Sequence, residues 1–180
     1  MPELVDKNER KNYIPVLCKE IKMEKQSGIK VNNDLDIEYR SLFGKDVFYL
    51  LQNDILVGIL ETVKLKLKNY PFEVFQEESI DICSEYRAKG FGTTFYYNLI
   101  KNGFRILSDF KHYKGTKGLW VKLSKQKDVI IKIVKNDEIV NENYDLDTDE
   151  MGVWKSNQLL ILATTSKIEE RLEFYASILK

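Results

Sequence analysis

Cysteine and histidine are almost missing from this chain: among 180 residues there are two cysteines, Cys18 and Cys83, and one histidine, His112. Two distant thiols without a histidine cluster argue against a disulfide framework and against a zinc site, so no metal is expected. Long apolar runs are missing as well. Nothing approaches the roughly 18 residues that suggest a membrane span, and the opening M-P-E-L-V-D-K-N-E-R-K lacks the apolar centre of a signal peptide. We therefore expect a cytoplasmic protein with no membrane partner. Charge of one sign is also lacking, since 28 basic and 28 acidic side chains cancel. That balance removes the field that draws a protein onto nucleic acid. No internal repeat, low-complexity segment or linker interrupts the chain. With 43% apolar and 31% charged residues, residues 1–180 read as one globular domain with its own core.

Residues 1–45 are charged, with apolar clusters at 13–17 and 37–43 that fit helix or strand. The pattern sharpens at Asp46, where V-F-Y-L-L, the polar break Gln52-Asn53-Asp54 and a long run from Ile55 read as a β-hairpin. Its far end alternates, with Val63, Leu65 and Leu67 on one face and Lys64, Lys66 and Lys68 on the other, a half-buried strand with a basic outer face. The lysines fit edge protection better than a binding patch. A strand is expected over 72–83, interrupted by the polar Gln76-Glu77-Glu78. After a glycine loop, Phe95, Tyr96, Leu99 and Ile100 recur at helical spacing, and Gly103 suits the helix end. Further elements are a short strand at 105–107, a helix at 115–123, strands at 129–134 and 159–164, an acidic loop at 141–150 and a C-terminal helix from about Ser166. This succession describes a mixed α/β or α+β sheet with helices packed on it.

The centre of the pattern is Ile80 to Gly103. An extended run passes through Arg87-Ala88-Lys89-Gly90-Phe91-Gly92 into an amphipathic helix. Two glycines let the backbone approach an anion closely, and a helix N-terminus beside them supplies N–H groups and a positive dipole end, as phosphate binding requires.

These residues resemble the GCN5-related N-acetyltransferase superfamily, whose signature loop is Arg or Gln followed by x-x-Gly-x-Gly or Ala between strand and helix. Gly118-Leu119-Trp120-Val121-Lys122-Leu123 is similar to the family's Leu-Tyr-x-Lys-Leu segment. The turns at 108–109 and 115–120 also resemble small acetyltransferase-like proteins of tailed bacteriophages. The resemblance implies a mostly antiparallel sheet with one splayed strand and flanking helices. It implies that acetyl coenzyme A is the co-substrate, its pyrophosphate on the amides of Arg87, Ala88, Lys89, Gly90, Phe91, Gly92 and Thr93. Its pantetheine would lie along the backbone of Ile80 and Ile82, and a side chain at Gly90 or Gly92 would crowd the phosphate.

Acetyl transfer to an amine needs a proton acceptor, and the leaving thiolate benefits from a donor. The family often places a glutamate on the strand before the loop; an ungapped match puts Gln76 there, with Glu78 on the same strand face if no bulge intervenes. Glu78 is the first candidate base and Asp81 the second. The family's tyrosine donor is replaced by Trp120, whose indole N–H is no acid near neutral pH, which leaves Tyr113 or water. His112 reads as a surface residue, Cys83 as a small buried one, Tyr96 and Tyr97 as core or its border, and the acids of 142–150 as a solvated loop. Three readings stay open: an acetyltransferase acting on a primary amine of a protein or small molecule, a catalytically silent binding or structural protein of the same fold, and a nucleic-acid module resting only on the three lysines.

Overall fold

The computed structural model describes residues 28–42, 44–110 and 114–166. Cys18, His112, Tyr113, the cluster at 13–17 and the C-terminal helix expected from Ser166 fall wholly or almost wholly outside them. Nine strands form one sheet: β1 (Gly28–Lys30), β2 (Leu35–Leu42), β3 (Lys45–Gln52), β4 (Ile55–Lys66), β5 (Glu73–Ile82), β6 (Ile106–Leu107), β7 (Val129–Lys135), β8 (Glu138–Asn141) and β9 (Leu159–Thr165). Among the described residues two helices accompany them, α1 (Phe91–Lys101) and α2 (Lys114–Ser124). The spatial order is β1-β2-β3-β4-β5-β6-β9-β7-β8. Every pairing is antiparallel except β5 with β6. No helix among the described residues is long and apolar enough to cross a membrane.

Local chemistry explains the hairpins. Asn53 and Asp54 both take the left-handed conformation, at φ 50° and 63°, and Asn136 and Asp137 repeat it at 52° and 64°. Two such residues make the two-residue turn whose twist matches the flanking strands. The β1–β2 turn instead relies on the Asn32 side chain, which accepts from the amides of Asp34 and Leu35, each at 2.8 Å.

The helices cover one sheet face. Phe48, Leu50 and Leu60 from the meander, Phe75 and Ile106 from the centre, and Ile131, Ile133, Ile161 and Ala163 meet Phe95, Tyr96, Leu99, Ile100, Trp120 and Leu123 in a single buried cluster. Alternate residues serve the opposite face, where Val74, Leu107, Val134, Leu160 and Leu162 join Leu67 and Tyr70 of the β4–β5 connection. The expected alternation at the end of β4 holds, with Leu67 buried and Lys64, Lys66 and Lys68 exposed.

Two irregularities position the site. β5 and β6 pair over two residues only, Phe75 with Ile106 and Gln76 with Leu107. β6 then turns its bonds to β9: Ser108 donates its amide to the Ile161 carbonyl at 2.8 Å, and its Oγ accepts from the Ile161 amide at 2.9 Å. From Glu77 onward, no strand among the described residues pairs with β5 on the side away from β4. The second irregularity is a bulge in β5. Glu61 faces Ser79 and Thr62 faces Glu77, leaving Glu78 as the extra residue. The bulge shifts the parity, so that Phe75 and Glu77 face the helices before it and Ile80 and Ile82 after it.

Candidate functional site

The segment from Glu77 to Thr93 carries the polar and backbone groups that the core leaves available. Cys83 donates its amide to Val57 of β4 at 2.8 Å. By alternation, the backbone groups of Ile80 and Ile82 point away from β4, to the side where β6 has left. The carbonyl of Ile82 is already taken by Arg87 Nε at 2.8 Å, and Arg87 Nη2 lies 3.3 Å from Asp81 Oδ1. Arg87 thus fastens the loop to β5, and Asp81, the second candidate base, is its counter-ion.

The loop begins with a 3-10 turn at Ser84–Tyr86, and Arg87 gives its amide to Ser84 at 3.3 Å. The uncommitted amides therefore start at Ala88, one residue later than the resemblance implies. Ala88 and Gly90 are both left-handed, at φ 60° and 86°, and Gly90 is the N-cap of α1. Among the described residues, the amides of Ala88, Lys89, Gly90, Phe91, Gly92 and Thr93 donate no hydrogen bond, while Thr94 bonds Gly90 at 3.0 Å. The glycines differ in purpose. A Cβ at Gly90 meets nothing within 4 Å, whereas one at Gly92 lies 2.9 Å from Leu119 Cδ1. Gly90 is needed for its φ; Gly92 lets α1 and α2 approach.

Glu78, the first candidate base, does not face the helix layer. Glu78, in the bulge, is exposed and pairs with Lys45 of β3 at 2.6 Å; that contact raises the Lys45 ammonium above its ordinary range. Because this pair is solvated and separate from the helix layer, Glu78→Gln is expected to leave the urea midpoint and any activity unchanged.

Its neighbour Glu77 is buried at 7% exposure. Glu77 Oε2 accepts from the Tyr96 hydroxyl of α1 at 2.8 Å, its one hydrogen bond among the described residues. Burial pushes its carboxyl up to about 7 and the negative charge of Asp109 adds to the rise, while the Tyr96 bond opposes it. Burial, then the Glu77 charge, hold the Tyr96 phenol well above its ordinary range. Glu77 ends a row of buried polar residues across three strands, Asp46 beside Thr62 beside Glu77. Asp46 is engaged by Tyr39 and Lys64, and Thr62 donates to the Asp46 carbonyl at 3.1 Å. Of the two carboxylates in the row, Glu77, beside the parted strands, is the one without a cation among the described residues. One sequence signal pointed to it: alternation from the core residue Phe75 carries Glu77 inward.

Trp120 is fully buried and meets the Tyr96 ring edge-on, centroids 5.5 Å apart at 82°. Its indole N–H has no partner among the described residues. Cys83 is a buried thiol whose Sγ lies 3.4 Å from the Leu56 carbonyl. The acids of 142–150 serve the fold: Glu142 binds Lys132, Asp147 binds Lys125 at 2.9 Å, and Asp149 accepts from Tyr144 and from the Val153 amide. A cavity of about 400 Å³ between α2, β7 and this loop is lined by Lys125, Ile131, Tyr144 and Asp145, away from the parted strands. Among the described residues no group of three or more His, Cys, Asp or Glu could hold a metal ion. Lys64 and Lys68 face carboxylates at 3.5 and 3.6 Å, Asp46 and Glu138 respectively.

No protein-family model matches the chain, and no curated protein matches it.

Proposed function

We propose that this protein is an acetyltransferase of the GCN5-related type, binding acetyl coenzyme A along β5 and transferring acetyl to a primary amine. The observation that carries the reading is the departure of β5 from β6 after Gln76. It leaves the Ile80 and Ile82 amides facing an unpaired side, in line with six uncommitted amides from Ala88 to Thr93. An extended pantetheine takes the place of a strand there, with its pyrophosphate at the start of α1.

Glu77 takes the role first expected of Glu78. The neutral amine attacks the thioester carbonyl, a C–N bond forms and the C–S bond breaks. The ammonium proton passes to the Glu77 carboxylate, and the thiolate collects a proton from water or from Tyr113. A backbone amide of the unpaired edge polarises the carbonyl oxygen. A carboxyl raised to about 7 suits this exchange, because near neutrality it can both take up and release a proton.

The burial of Trp120 favours one rival, a silent protein of the same architecture, because the helix position that would bring a phenol to the sulfur is committed to the core. Calorimetric titration with acetyl coenzyme A beside free coenzyme A separates the two. Binding of both, with turnover against a panel of amines, supports the transferase. Binding without turnover supports the silent protein, and no binding overturns both.

A further inference from the structure

The fully buried Tyr96 hydroxyl was expected only to fill the core or its border, yet it makes the single hydrogen bond that the Glu77 carboxyl receives among the described residues. Three elements meet at this contact: Glu77 from β5, Tyr96 from α1 and Trp120 from α2, the last closing against the Tyr96 ring. A phenol buried in an aromatic and aliphatic cluster cannot touch a substrate. It can fix the one carboxyl that stands where β5 leaves β6, and so determine that carboxyl's rotamer and ionisation.

We propose that Tyr96 is the positioning residue of the site: its hydroxyl, braced by Trp120, holds the Glu77 carboxylate at the head of the parted strands in the orientation and ionisation that accept a proton. The assignment rests on the transferase reading for its catalytic meaning and on the geometry alone for the pairing. The groups facing Glu77 are Tyr96 from α1 and Asp109 beyond β6, with Thr62 opposite on β4. Of these, Tyr96 is the one that favours the charged form, by donating to it; Asp109 disfavours it. Trp120 thereby has a part in this chain that its position in the helix pattern hid. The segment that resembles the family's tyrosine segment supplies a brace, and the phenol comes from the preceding helix.

The test follows the Glu77 carboxyl carbon and the Tyr96 ring carbon bearing oxygen by NMR in the full-length, ¹³C-labelled protein across pH. In the native protein both resonances are expected to move with one shared midpoint. In Tyr96→Phe, a charged group loses a hydrogen bond, and the Glu77 midpoint should rise by about one pH unit. The acid limb of kcat/KM should rise with it and the high-pH plateau should fall by about tenfold as the carboxylate loses its orientation, while acetyl coenzyme A affinity stays within about threefold. Separate midpoints in the native protein overturn the pairing even if the variant does not fold. An unmoved Glu77 midpoint in a folded Tyr96→Phe protein also overturns it, whatever the coenzyme result. A midpoint that moves in a protein unable to bind acetyl coenzyme A overturns the transferase reading and leaves the pairing standing.

Discussion

At pH 8, Glu77→Gln is expected to be more stable than the native protein by about 3 kcal/mol and to have lost about a hundred- to ten-thousand-fold in acetyl transfer. The first half follows from burial. The carboxyl moves from an ordinary 4.5 to about 7 on folding, so between those values the folded chain keeps a proton that the unfolded chain has released. Stability therefore falls as pH rises through that window, and the full loss is present above it. Glutamine still accepts the Tyr96 hydroxyl but has no charge to desolvate. Urea denaturation at three pH values checks this: the native midpoint falls from acid to alkaline pH, the variant's stays nearly flat, and the two converge below about pH 4.5. Identical pH dependence of the two proteins would show that Glu77 is not desolvated. A variant that gains stability and loses activity is the signature of a group kept for chemistry at a cost to the fold.

The second large effect concerns the loop. Gly90→Asp is expected to fold at a cost of about 1 kcal/mol for its left-handed backbone and to bind acetyl coenzyme A at least about 100-fold more weakly, a loss of about 3 kcal/mol. Aspartate tolerates the left-handed conformation better than most residues, and its Cβ would meet nothing within 4 Å. Its carboxylate would stand among the uncommitted amides of Ala88 to Thr93, satisfying donors that the pyrophosphate requires and repelling its charge. Calorimetry on Gly90→Asp, with the urea midpoint measured alongside, gives the answer; unchanged affinity would remove the pyrophosphate from this loop. Gly92→Glu is a poorer probe, because its Cβ would press on Leu119 and perturb the α1–α2 contact before any ligand is involved.

How far the residues announced this arrangement depends on how local each feature is. Asn53-Asp54 between two apolar runs specifies a hairpin on its own, because a two-residue left-handed turn and period-two alternation are properties of neighbours along the chain. The same holds for the glycine loop, the face of α1 and Gly103 beyond it, where φ is 95°. Glu77 was harder to see. It reads as one of three polar residues breaking a strand, and its inward direction, its partner Tyr96 from the next helix and the bulge that consumes Glu78 are all non-local. The ungapped match at Gln76 favoured Glu78 on the same strand face, with Asp81 second, and the fold pairs each with a cation, Lys45 and Arg87. Trp120 shows the converse, a residue whose match to a helix pattern was legible and whose burial against Tyr96 was not.

The place of β9 has a consequence for how the chain reaches this state. β1 to β5 form an unbroken meander of neighbouring strands, so each pairing closes a short loop and forms early. β6 and β7 are different, because the strand between them follows both in sequence. Until Leu159–Thr165 is inserted, both expose an unsatisfied edge, and α1 and α2 have only part of a floor to rest on. Docking of the half carrying α2 thus depends on the long-range insertion of one strand.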